Sequence, residues 1–452
     1  MHKVNDDSVQ LREAIFAYTR SRMEYDPPPL DNSASRDFLE KSAGQTVTED
    51  GIGGLNALQI FEDVLAPSTI STDHPNYLSF IPSAPTQAAK LFDLVVSASA
   101  IYGGSWLEGA GAVFAENEVL RWLAAEIGLP DSSGGVFVQG GTIGNLSALV
   151  AARHNAIHKL EKVNKPKPAR WKFVCSNEAH SSLKAAAAVM DVDIIKAPVD
   201  ATGHLCGAAV EAALEGNLDS VFAIVGTAGT TNFGIVDKLD EIGQIARKYE
   251  IWFHVDGAYG LAGILSAESK TRFKGVELAD SFIVDPHKWL FAPFDACALV
   301  YRDPALARAA HTQHGEYLEV LNDTEEWNPS DYAFNLTRRT RGLPLWFSLA
   351  THGIRKYREA VGHNILLARQ IADEINRRKD LALVREPELS VVVFTKAGWQ
   401  LNDYLDWSEK LLARGQAFVV PSSHLGEPNA RFAIVNPETK FDDLVSILDS
   451  MN

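Results

Sequence analysis

Apolar residues follow a helical spacing in the first part of the chain, and the pattern changes near residue 134. From there to about residue 300, short apolar runs alternate with segments of helical spacing. This alternation predicts a mostly parallel sheet with helices on both faces, in which ligands bind at the carboxyl ends of the strands. The predicted strands span residues 136–138, 172–175, 192–195, 221–225, 251–255, 282–284 and 297–300, and the predicted helices span 144–160, 181–189, 208–214 and 239–249.

The segments on either side of this region are mainly helical. Before it, the apolar spacing predicts helices over residues 8–25, 55–64, 87–101 and 113–127, with a polar segment up to residue 50 and a glycine-rich connection over 102–111. After it, the pattern indicates helices over 343–357, 359–377 and 407–414, strands over 389–395, 418–420 and 431–435, and a final helix.

The length of 452 residues favours more than one hydrophobic core. We therefore expect a helical arm over residues 1–85, a large α/β domain over 86–345 and a small α/β domain over 346–452. Residues 311–337 are polar and lack periodicity. A long segment of this kind inside a compact enzyme is typically a lid or a binding loop.

Charge and composition narrow the class of function. The formal net charge of −16 argues against nucleic acid or an anionic membrane as a partner. The sequence has no run of eighteen apolar residues and no apolar leader at its N-terminus, so we expect a cytoplasmic protein. Its three cysteines are far apart and form no CxxC pair, which excludes a disulfide framework and a zinc-ribbon site and fits a reducing compartment.

A lysine directly follows one of the most apolar predicted strands. Phe282, Ile283 and Val284 lead into Asp285-Pro286-His287-Lys288. Lysine is rarely buried unless its charge is paired or removed, and an imine to a carbonyl such as that of pyridoxal phosphate removes it. A solvated turn with an outward lysine is the alternative, and this stretch alone leaves both interpretations open.

Four other predicted strand ends carry polar or small residues. Gly140-Gly141-Thr142 can offer N–H and hydroxyl donors to an anion at a helix N-terminus. His180 stands before a helix, where a lone histidine is usually a capping or surface residue. A loop of small donors begins at Thr227, and Asp256 ends a run so apolar that its charge needs a cationic partner.

Together these strand ends supply what pyridoxal phosphate needs. They offer a phosphate cradle, a cover for the ring, an anion for the pyridine nitrogen and a lysine for the aldehyde. Each motif alone is a weak signal, but five unrelated turns in this order along one α/β region are improbable.

The motifs resemble those of the group II pyridoxal-phosphate-dependent amino-acid decarboxylases, which include the aromatic-L-amino-acid and glutamate decarboxylases. The resemblance covers about residues 50–440. It rests most on Asp285-Pro-His-Lys-Trp289 in phase with His254-Val-Asp256-x-Ala258-Tyr259. Further matching stretches are His74-Pro-x-Tyr77, Phe80-Ile-Pro-Ser83, Gly140-Gly-Thr142, Ala179-His180-Ser-Ser182, Gly229-Thr-Thr231, Arg338-Arg339, Arg431-Phe432 and Asn436-Pro437.

The resemblance implies fold type I, as in aspartate aminotransferase, and a set of cofactor contacts. Lys288 matches the Schiff-base lysine, Asp256 the partner of the pyridinium nitrogen, and His180 the histidine stacked on the ring. Thr227 and Ala258 match positions beside the ring oxygen and the ring face. Positions that hold the phosphate are matched by Gly141, Thr142, Asp285 and His287. The expected catalytic residues are Lys288, Asp256, His180 and His287.

The resemblance also implies how substrate and subunits meet. Ser83 matches the position that binds the substrate carboxylate, and Phe80, Pro82 and Trp106 match positions that line the substrate pocket. The family forms homodimers, and residues near Gly104 enter the active site of the partner subunit. We therefore expect a homodimer that decarboxylates an L-amino acid to its amine, with an aromatic amino acid as one candidate class. No arginine or lysine falls in the pocket stretches, which disfavours an acidic substrate side chain.

Two departures from the family pattern leave the reaction outcome open. Relatives acting on aromatic substrates carry an aromatic residue where Gly104 falls. They also carry a catalytic tyrosine in the loop, where this chain has Pro329, and Tyr317 and Tyr332 are the candidate substitutes. Oxidative decarboxylation to an aldehyde, aldol-type cleavage and transamination are therefore alternatives. An inert dimer that only binds a partner is an alternative of another class.

Overall fold

The computed structural model describes residues 2–315 and 326–451. Contacts group the chain into two compact units. The smaller unit consists of the segment up to Phe80, Asp373–Val384 and the segment from Val393 onward, and the larger unit consists of Ile81–Ala372 and Arg385–Val392. The division into an arm and two domains at residues 85 and 345 stays a prediction.

The larger unit contains a sheet of seven strands in the order β1-β7-β6-β5-β4-β2-β3. Strand β7 is antiparallel to both of its neighbours, and the other pairs are parallel. This is the mostly parallel sheet that the sequence pattern predicts. The strands are β1 (Gly134–Val138), β2 (Lys172–Ser176), β3 (Asp193–Ala197), β4 (Val221–Thr227), β5 (Trp252–Asp256), β6 (Ser281–Val284) and β7 (Cys297–Tyr301).

The central strands are buried along their whole length, so they read as continuous apolar runs. Small and aliphatic residues of the crossover helices complete the core around them. The helices of the larger unit are α4 (Gln87–Ala98), α5 (Trp106–Ile127), α6 (Gly141–Lys162), α7 (Ser181–Met190), α8 (Gly207–Leu214), α9 (Leu239–Lys248), α10 (Pro286–Trp289), α11 (Pro304–His311) and α12 (Leu343–His352).

The N-terminal helices belong to the smaller unit. They are α1 (Asp6–Met23), α2 (Arg36–Ala43) and α3 (Gly54–Ile60), which continues into a π-helical turn (Phe61–Leu65). In the same unit, Tyr77 and Phe418 form an isolated bridge, and the Leu78 carbonyl accepts the N–H of Ala433. The segment before Phe80 is therefore tied to C-terminal residues that are more than 300 positions away.

The C-terminal part of the chain contains a second sheet, in the order β10-β11-β9-β8. Its strands are β8 (Leu381–Arg385), β9 (Val391–Lys396), β10 (Ser422–His424) and β11 (Glu427–Ala433), and the helices of this part are α13 (Ile354–Arg377), α14 (Leu401–Ala413) and α15 (Phe441–Asp449).

Several sequence-based predictions outside the large sheet are wrong in detail. The connection predicted through residue 111 ends at Ser105, whose side chain caps α5 by accepting the N–H of Glu108. The polar segment before residue 50 contains α2, which Ser35 caps. The break between α12 and α13 falls at Gly353, whose φ of 76° few other residues adopt. The strand predicted over 418–420 is reduced to the single bridge at Phe418.

Candidate active site

One pocket of the larger unit lies at the carboxyl ends of β1, β2, β4, β5 and β6. Its volume is about 360 Å³, which is within the range of small-molecule sites. Every residue predicted from the sequence to bind the cofactor lines it. We call it the strand-end pocket, and its lining consists of Gln139, Gly140, Gly141, Thr142, Asn145, His180, Ser182, Thr227, Gly229, Thr231, Asp256, Ala258, Tyr259, Asp285, His287, Lys288 and Asp295.

The first turn of α6 forms one wall of the pocket. The helix begins at Gly141, where the leading N–H groups have no partners within the helix and the helix dipole favours an anion. The Gly141 N–H donates to Asp285 Oδ2 over 3.2 Å. A Cβ at Gly141 would lie 3.1 Å from that oxygen and 3.2 Å from the Cβ of Ala258. Glycine therefore keeps the space in front of this helix open.

Lys288 projects from the short helix that follows β6. Its Nζ lies 3.0 Å from Asp285 Oδ2, and the two side chains are 23% and 2% exposed. Burial lowers the pKa of Lys288, but the carboxylates of Asp285 and Asp256 outweigh it and raise the pKa above its ordinary value. The amine is thus a cation held by Asp285, and it must lose a proton before it can attack a carbonyl.

Asp256 ends β5 beside Thr227 of β4. Its carboxylate is 5% exposed. Oδ2 accepts from Asn145 Nδ2 over 2.9 Å, and Oδ1 accepts from the N–H of Ala258 over 3.2 Å. Two donors, one to each oxygen, hold this buried carboxylate in one orientation.

Two histidines complete the polar lining. His180 is the N-cap of α7, the capping role that the sequence analysis gave as the alternative to a place in the site. Its Nδ1 accepts the N–H of Ser182 over 3.2 Å. It nevertheless lines the pocket, so capping and a place in the site are combined in one residue. His287 Nδ1 lies 2.7 Å from the carbonyl oxygen and 3.3 Å from the backbone nitrogen of Ala296, and its Nε2 lies 3.9 Å from Asp285 Oδ2.

Thr227 is held in place by a buried carboxyl group behind it. Asp237 accepts the N–H of Thr227 and the N–H of Leu205, each over 2.8 Å. Burial raises the pKa of Asp237 to about 7, although the two N–H donors and His204 lower it. The end of β4 therefore depends on a carboxyl group that titrates near neutral pH.

The residues of the pocket fit pyridoxal phosphate. The hydroxyl of Thr227, a lining residue, is buried and has no hydrogen-bond partner among the described residues. It is therefore open to a hydrogen bond with a group bound in the pocket. A cationic lysine, a buried carboxylate and a helix N-terminus supply groups of the right charge for an aldehyde, a pyridinium nitrogen and a phosphate.

The five positions predicted to contact the substrate do not line the strand-end pocket. Ser83 is buried, and its N–H donates to the carbonyl of His287 over 3.2 Å, which places it next to the lysine helix. Pro82 is half-buried in the same segment. Phe80 belongs to the smaller unit, where its ring centroid lies 6.5 Å from that of Tyr77.

The backbone of Gly104 and Trp106 is hydrogen-bonded to the later part of the polar segment 311–337. The Gly104 carbonyl accepts the N–H of Ser330 over 3.1 Å, and the Trp106 N–H donates to Asn328 Oδ1 over 2.9 Å. A Cβ at Gly104 would overlap the hydroxyl of Tyr102, so a side chain there requires Tyr102 to move. The substrate roles of these positions stay predictions.

Of the two candidate substitutes for the loop tyrosine, the structure describes Tyr332, which does not line the pocket. Pro329 begins a buried 3₁₀ turn, and the Tyr332 ring stacks on Trp327 at a centroid distance of 4.1 Å. Burial raises the pKa of Tyr332 to about 12, and the residue belongs to the core. Tyr332 is therefore not a candidate proton donor. Tyr317 lies outside the described residues.

The pocket also contains residues to which the sequence analysis assigned no role. Asn145 follows Thr142 by three positions, so one turn of α6 brings it to the pocket, and helical spacing alone could have found it. Tyr259 stacks on Trp289 at 5.3 Å and bonds Ser390. Asp295 pairs with Arg341 over 2.8 Å, and its place in the lining had no signal in the sequence pattern.

Comparison with known proteins identifies the class. Residues 52–397 match the pyridoxal-dependent decarboxylase conserved domain. An aromatic-L-amino-acid decarboxylase from Bacillus atrophaeus is 28% identical over 93% of this chain and 89% of its own length. An L-2,4-diaminobutyrate decarboxylase from Acinetobacter baumannii is 27% identical over 89% of this chain and 84% of its own length.

Solved structures share the whole fold. The structure of Oryza sativa TDC with PLP and tryptamine has a TM-score of 0.90 at 23% identity and covers 100% of this chain and 99% of its own. The Rhodiola rosea 4-hydroxyphenylacetaldehyde synthase has a TM-score of 0.87 at 21% identity and covers 100% and 98%. These likenesses confirm the predicted α/β fold.

The chain belongs to the pyridoxal-dependent decarboxylase family. It is a pyridoxal-phosphate-dependent amino-acid decarboxylase, a carboxy-lyase, as the motifs around Lys288 and Asp256 predict. The family model and the relatives matched by sequence are named as decarboxylases and do not favour an aldehyde-forming enzyme, an aldol-type lyase, an aminotransferase or an inert dimer. The likeness to the 4-hydroxyphenylacetaldehyde synthase, at 21% identity, bears on the fold alone. Among the residues that the structure describes, no helix has the length and apolar character needed to cross a bilayer.

The titration of Asp237 gives a pH-dependent prediction. Its folded pKa of about 7 lies above its ordinary value, so the folded chain binds this proton more tightly than the unfolded chain does. The stabilisation is complete below about pH 4 and is lost as the pH rises through 7. In Asp237→Asn this position cannot titrate. The free energy of unfolding of the variant minus that of the wild type should therefore increase by roughly 2 to 3 kcal/mol as the pH rises from 5 to 8.

Urea unfolding of both proteins at several pH values measures this difference. Asp219→Asn, which makes the same substitution at an exposed position of the larger unit, is the control. Its difference from the wild type should stay constant over this range. A constant difference between Asp237→Asn and the wild type from pH 5 to 8 would contradict the assigned titration.

Proposed function

We propose that this decarboxylase holds its cofactor in the strand-end pocket through Lys288, Asp256 and the first turn of α6. When bound, pyridoxal phosphate supplies an aldehyde for the substrate amine and a ring that withdraws electrons from the substrate α-carbon. The observation that supports this most is the placement of Lys288 and Asp256 after neighbouring parallel strands, in one pocket with an open helix N-terminus.

The charges of the pocket suggest a division of roles. Lys288 bonds the cofactor aldehyde, and Asp256 accepts a hydrogen bond from the ring nitrogen and so keeps that nitrogen protonated. His180 and Ala258 cover the ring, and Thr227 Oγ1 bonds a ring substituent. Thr142 and His287 would hold the phosphate in the space that Gly141 leaves open in front of α6. Asp285 is itself an anion, so we assign it to holding Lys288 and the Gly141 N–H and not to the phosphate itself.

Asp285 also provides a route for the lysine proton. Its Oδ2 lies 3.0 Å from Lys288 Nζ and 3.9 Å from His287 Nε2, so a small movement brings the lysine and the imidazole to a shared acceptor. We assign His287 and Asp285 to the exchange of this proton. We also propose that Ser83, whose N–H donates to the His287 carbonyl, binds the substrate carboxylate.

The uncharged remainder of the lining favours a substrate with a neutral side chain, aromatic amino acids included. Outside the groups assigned to the cofactor, Asp295 is the charged residue of the lining, and Arg341 neutralises it over 2.8 Å. The relative from Bacillus atrophaeus is named for aromatic L-amino acids. An acidic side chain would need an arginine or lysine, and among the described residues the lining has none apart from Lys288, which is assigned to the cofactor.

The test is incubation of the cofactor-loaded enzyme with each common L-amino acid while CO₂, amine, aldehyde and oxygen are measured. We expect CO₂ and amine in equal amounts, no oxygen uptake, and neutral side chains favoured over glutamate and aspartate. Lys288→Ala should lower the rate by on the order of 10³-fold or more. Lys184→Ala, which removes an exposed lysine of α7, is the matched control.

Aldehyde formed with consumption of oxygen would contradict the proposed product. A preference for glutamate would contradict the proposed substrate class.

We further propose that the enzyme works as a cytoplasmic homodimer. Helices α4 and α5 pack on α12 through a small core and still expose large apolar side chains. An exposed apolar surface of this kind is typical of a subunit interface. The exposed residues are Leu91, Leu94 and Val95 on α4 and Leu107 and Phe114 on α5. Three cysteines without disulfide partners fit a reducing compartment.

Leu107→Asp tests the dimer. Leu107 is 69% exposed and lies on the same helix as Phe114, which is 56% exposed, so a charge there would disrupt an interface built on α5. Sedimentation should show a dimer for the wild type and a dissociation constant raised by at least about tenfold for the variant. Val189→Asp, at an apolar α7 residue that is 71% exposed, is the control and should remain dimeric. A monomeric wild type, or an unaffected variant, would contradict this interface.

A further inference from the structure

A chain of buried hydrogen bonds leads away from the pocket behind Asp256. Trp252 Nε1 and His254 Nδ1 each lie 2.8 Å from Ser281 Oγ. His254 Nε2 lies 2.9 Å from Asn145 Oδ1, and Asn145 Nδ2 lies 2.9 Å from Asp256 Oδ2. His254 and Ser281 have no exposed surface, and Asn145 is 1% exposed.

The chain branches at Asn145. The same amide nitrogen lies 3.0 Å from Ser182 Oγ, and that hydroxyl lies 2.9 Å from His180 Nδ1. One amide group therefore contacts the carboxylate on β5 and, through a single hydroxyl, the histidine before α7. Both of these residues line the strand-end pocket.

The donors and acceptors permit one direction along the chain. A carboxylate only accepts, so Asp256 requires the nitrogen of the Asn145 amide, and the amide oxygen must face His254. His254 Nε2 then carries the proton. Burial lowers the pKa of His254 to about 4, so the ring is neutral and its Nδ1 accepts from the Ser281 hydroxyl, which in turn accepts from the Trp252 indole.

Donors and acceptors also determine the direction of the hydrogen bonds in the branch from Asn145 through Ser182 to His180. His180 Nδ1 accepts the backbone N–H of Ser182, so Nδ1 carries no proton and can also accept from the Ser182 hydroxyl. Ser182 Oγ is then free to accept from Asn145. The other ring nitrogen of His180, Nε2, is then the one that carries a proton.

We propose that Asn145 is a positioning residue that sets the orientation of Asp256 and, through the Ser182 hydroxyl, helps to hold the His180 ring, with His254, Ser281 and Trp252 fixing the orientation of its amide. The proposal rests on the role assigned above to Asp256. Asn145 touches neither the reacting atoms nor the cofactor in this role. It acts by keeping an amide donor, and not an acceptor, against the Asp256 carboxylate.

Asn145→Asp is the sharpest test because it keeps the shape and replaces the donor. In this variant the carboxyl groups of residues 145 and 256 face each other at hydrogen-bond distance. At high pH both would be ionised and would repel each other, which is unfavourable unless one of them takes up a proton. At lower pH the protonated carboxyl group of this variant would donate to Asp256 as the amide does. The other ionisable groups around this position are His254, His180, Asp285 and Lys288.

The measurement is the dissociation constant of 4-deoxypyridoxine phosphate for the apo-protein from pH 6 to 9, followed by tryptophan fluorescence. This analogue keeps the ring nitrogen and phosphate but has no aldehyde, so imine formation does not contribute. Asn145→Asp should bind within a few-fold of the wild type at pH 6 and about 10- to 100-fold more weakly at high pH. Asn145→Ala should bind about 10- to 100-fold more weakly at every pH.

Two further variants show whether a negative result concerns the role of Asp256 or the role of Asn145. Asp256→Ala should weaken binding at every pH, and an unchanged dissociation constant would overturn the role of Asp256 itself. Asn155→Asp makes the matched substitution farther along α6, outside the pocket lining, and should follow the wild type. A wild-type dissociation constant for Asn145→Asp at every pH, or a loss that matches Asn145→Ala at every pH, would overturn the role of Asn145.

If circular dichroism shows that Asn145→Asp does not fold, His254→Gln replaces it as the test variant. A glutamine can either donate to or accept from the Asn145 amide, so the direction of the chain is no longer fixed. Binding of the analogue should then weaken about tenfold. An unchanged dissociation constant would overturn the proposal.

Discussion

The site depends on placing a lysine and two carboxylates together at the carboxyl edge of a buried sheet. Removing such charges from water is costly, and it is tolerated only where each charge has a partner. Lys288 is paired with Asp285, and Asp256 is satisfied by Asn145 and the Ala258 N–H. The parallel strands meet this requirement because their ends lie side by side, so that residues far apart in sequence come within hydrogen-bond distance.

Other parts of the larger unit fix the strand ends in place and leave room beside them. Continuous burial of β4, β5 and β6 fixes the strand ends, and a glycine at the start of α6 leaves room in front of the helix N-terminus. Gly229 shows the same constraint in the loop after β4. Its φ is 104°, and a Cβ there would lie 2.5 Å from the Cα of Gly260, so the two loops can approach only through glycines.

The large sheet and the main residues of the pocket could be predicted from the sequence because they follow the spacing of apolar residues. The buried strands of the large sheet are apolar runs that end in polar residues, so Asp256 and Lys288 mark both the strand ends and the chemistry. The N-terminus of α5 and the break at Gly353 were missed because caps and left-handed glycines depend on local hydrogen bonds and not on apolar spacing. The pair Asp295–Arg341 and the partners of Asn145 were missed because contacts between distant segments leave no pattern along the chain.

The central claim is that Lys288 is the residue that bonds the cofactor. Borohydride reduction of the cofactor-loaded enzyme makes that bond permanent, and peptide mass spectrometry then locates it. The account predicts one modified peptide, which contains Lys288 and carries the reduced cofactor. Modification of a different lysine, or no modification of an enzyme that is active and loaded, would contradict it.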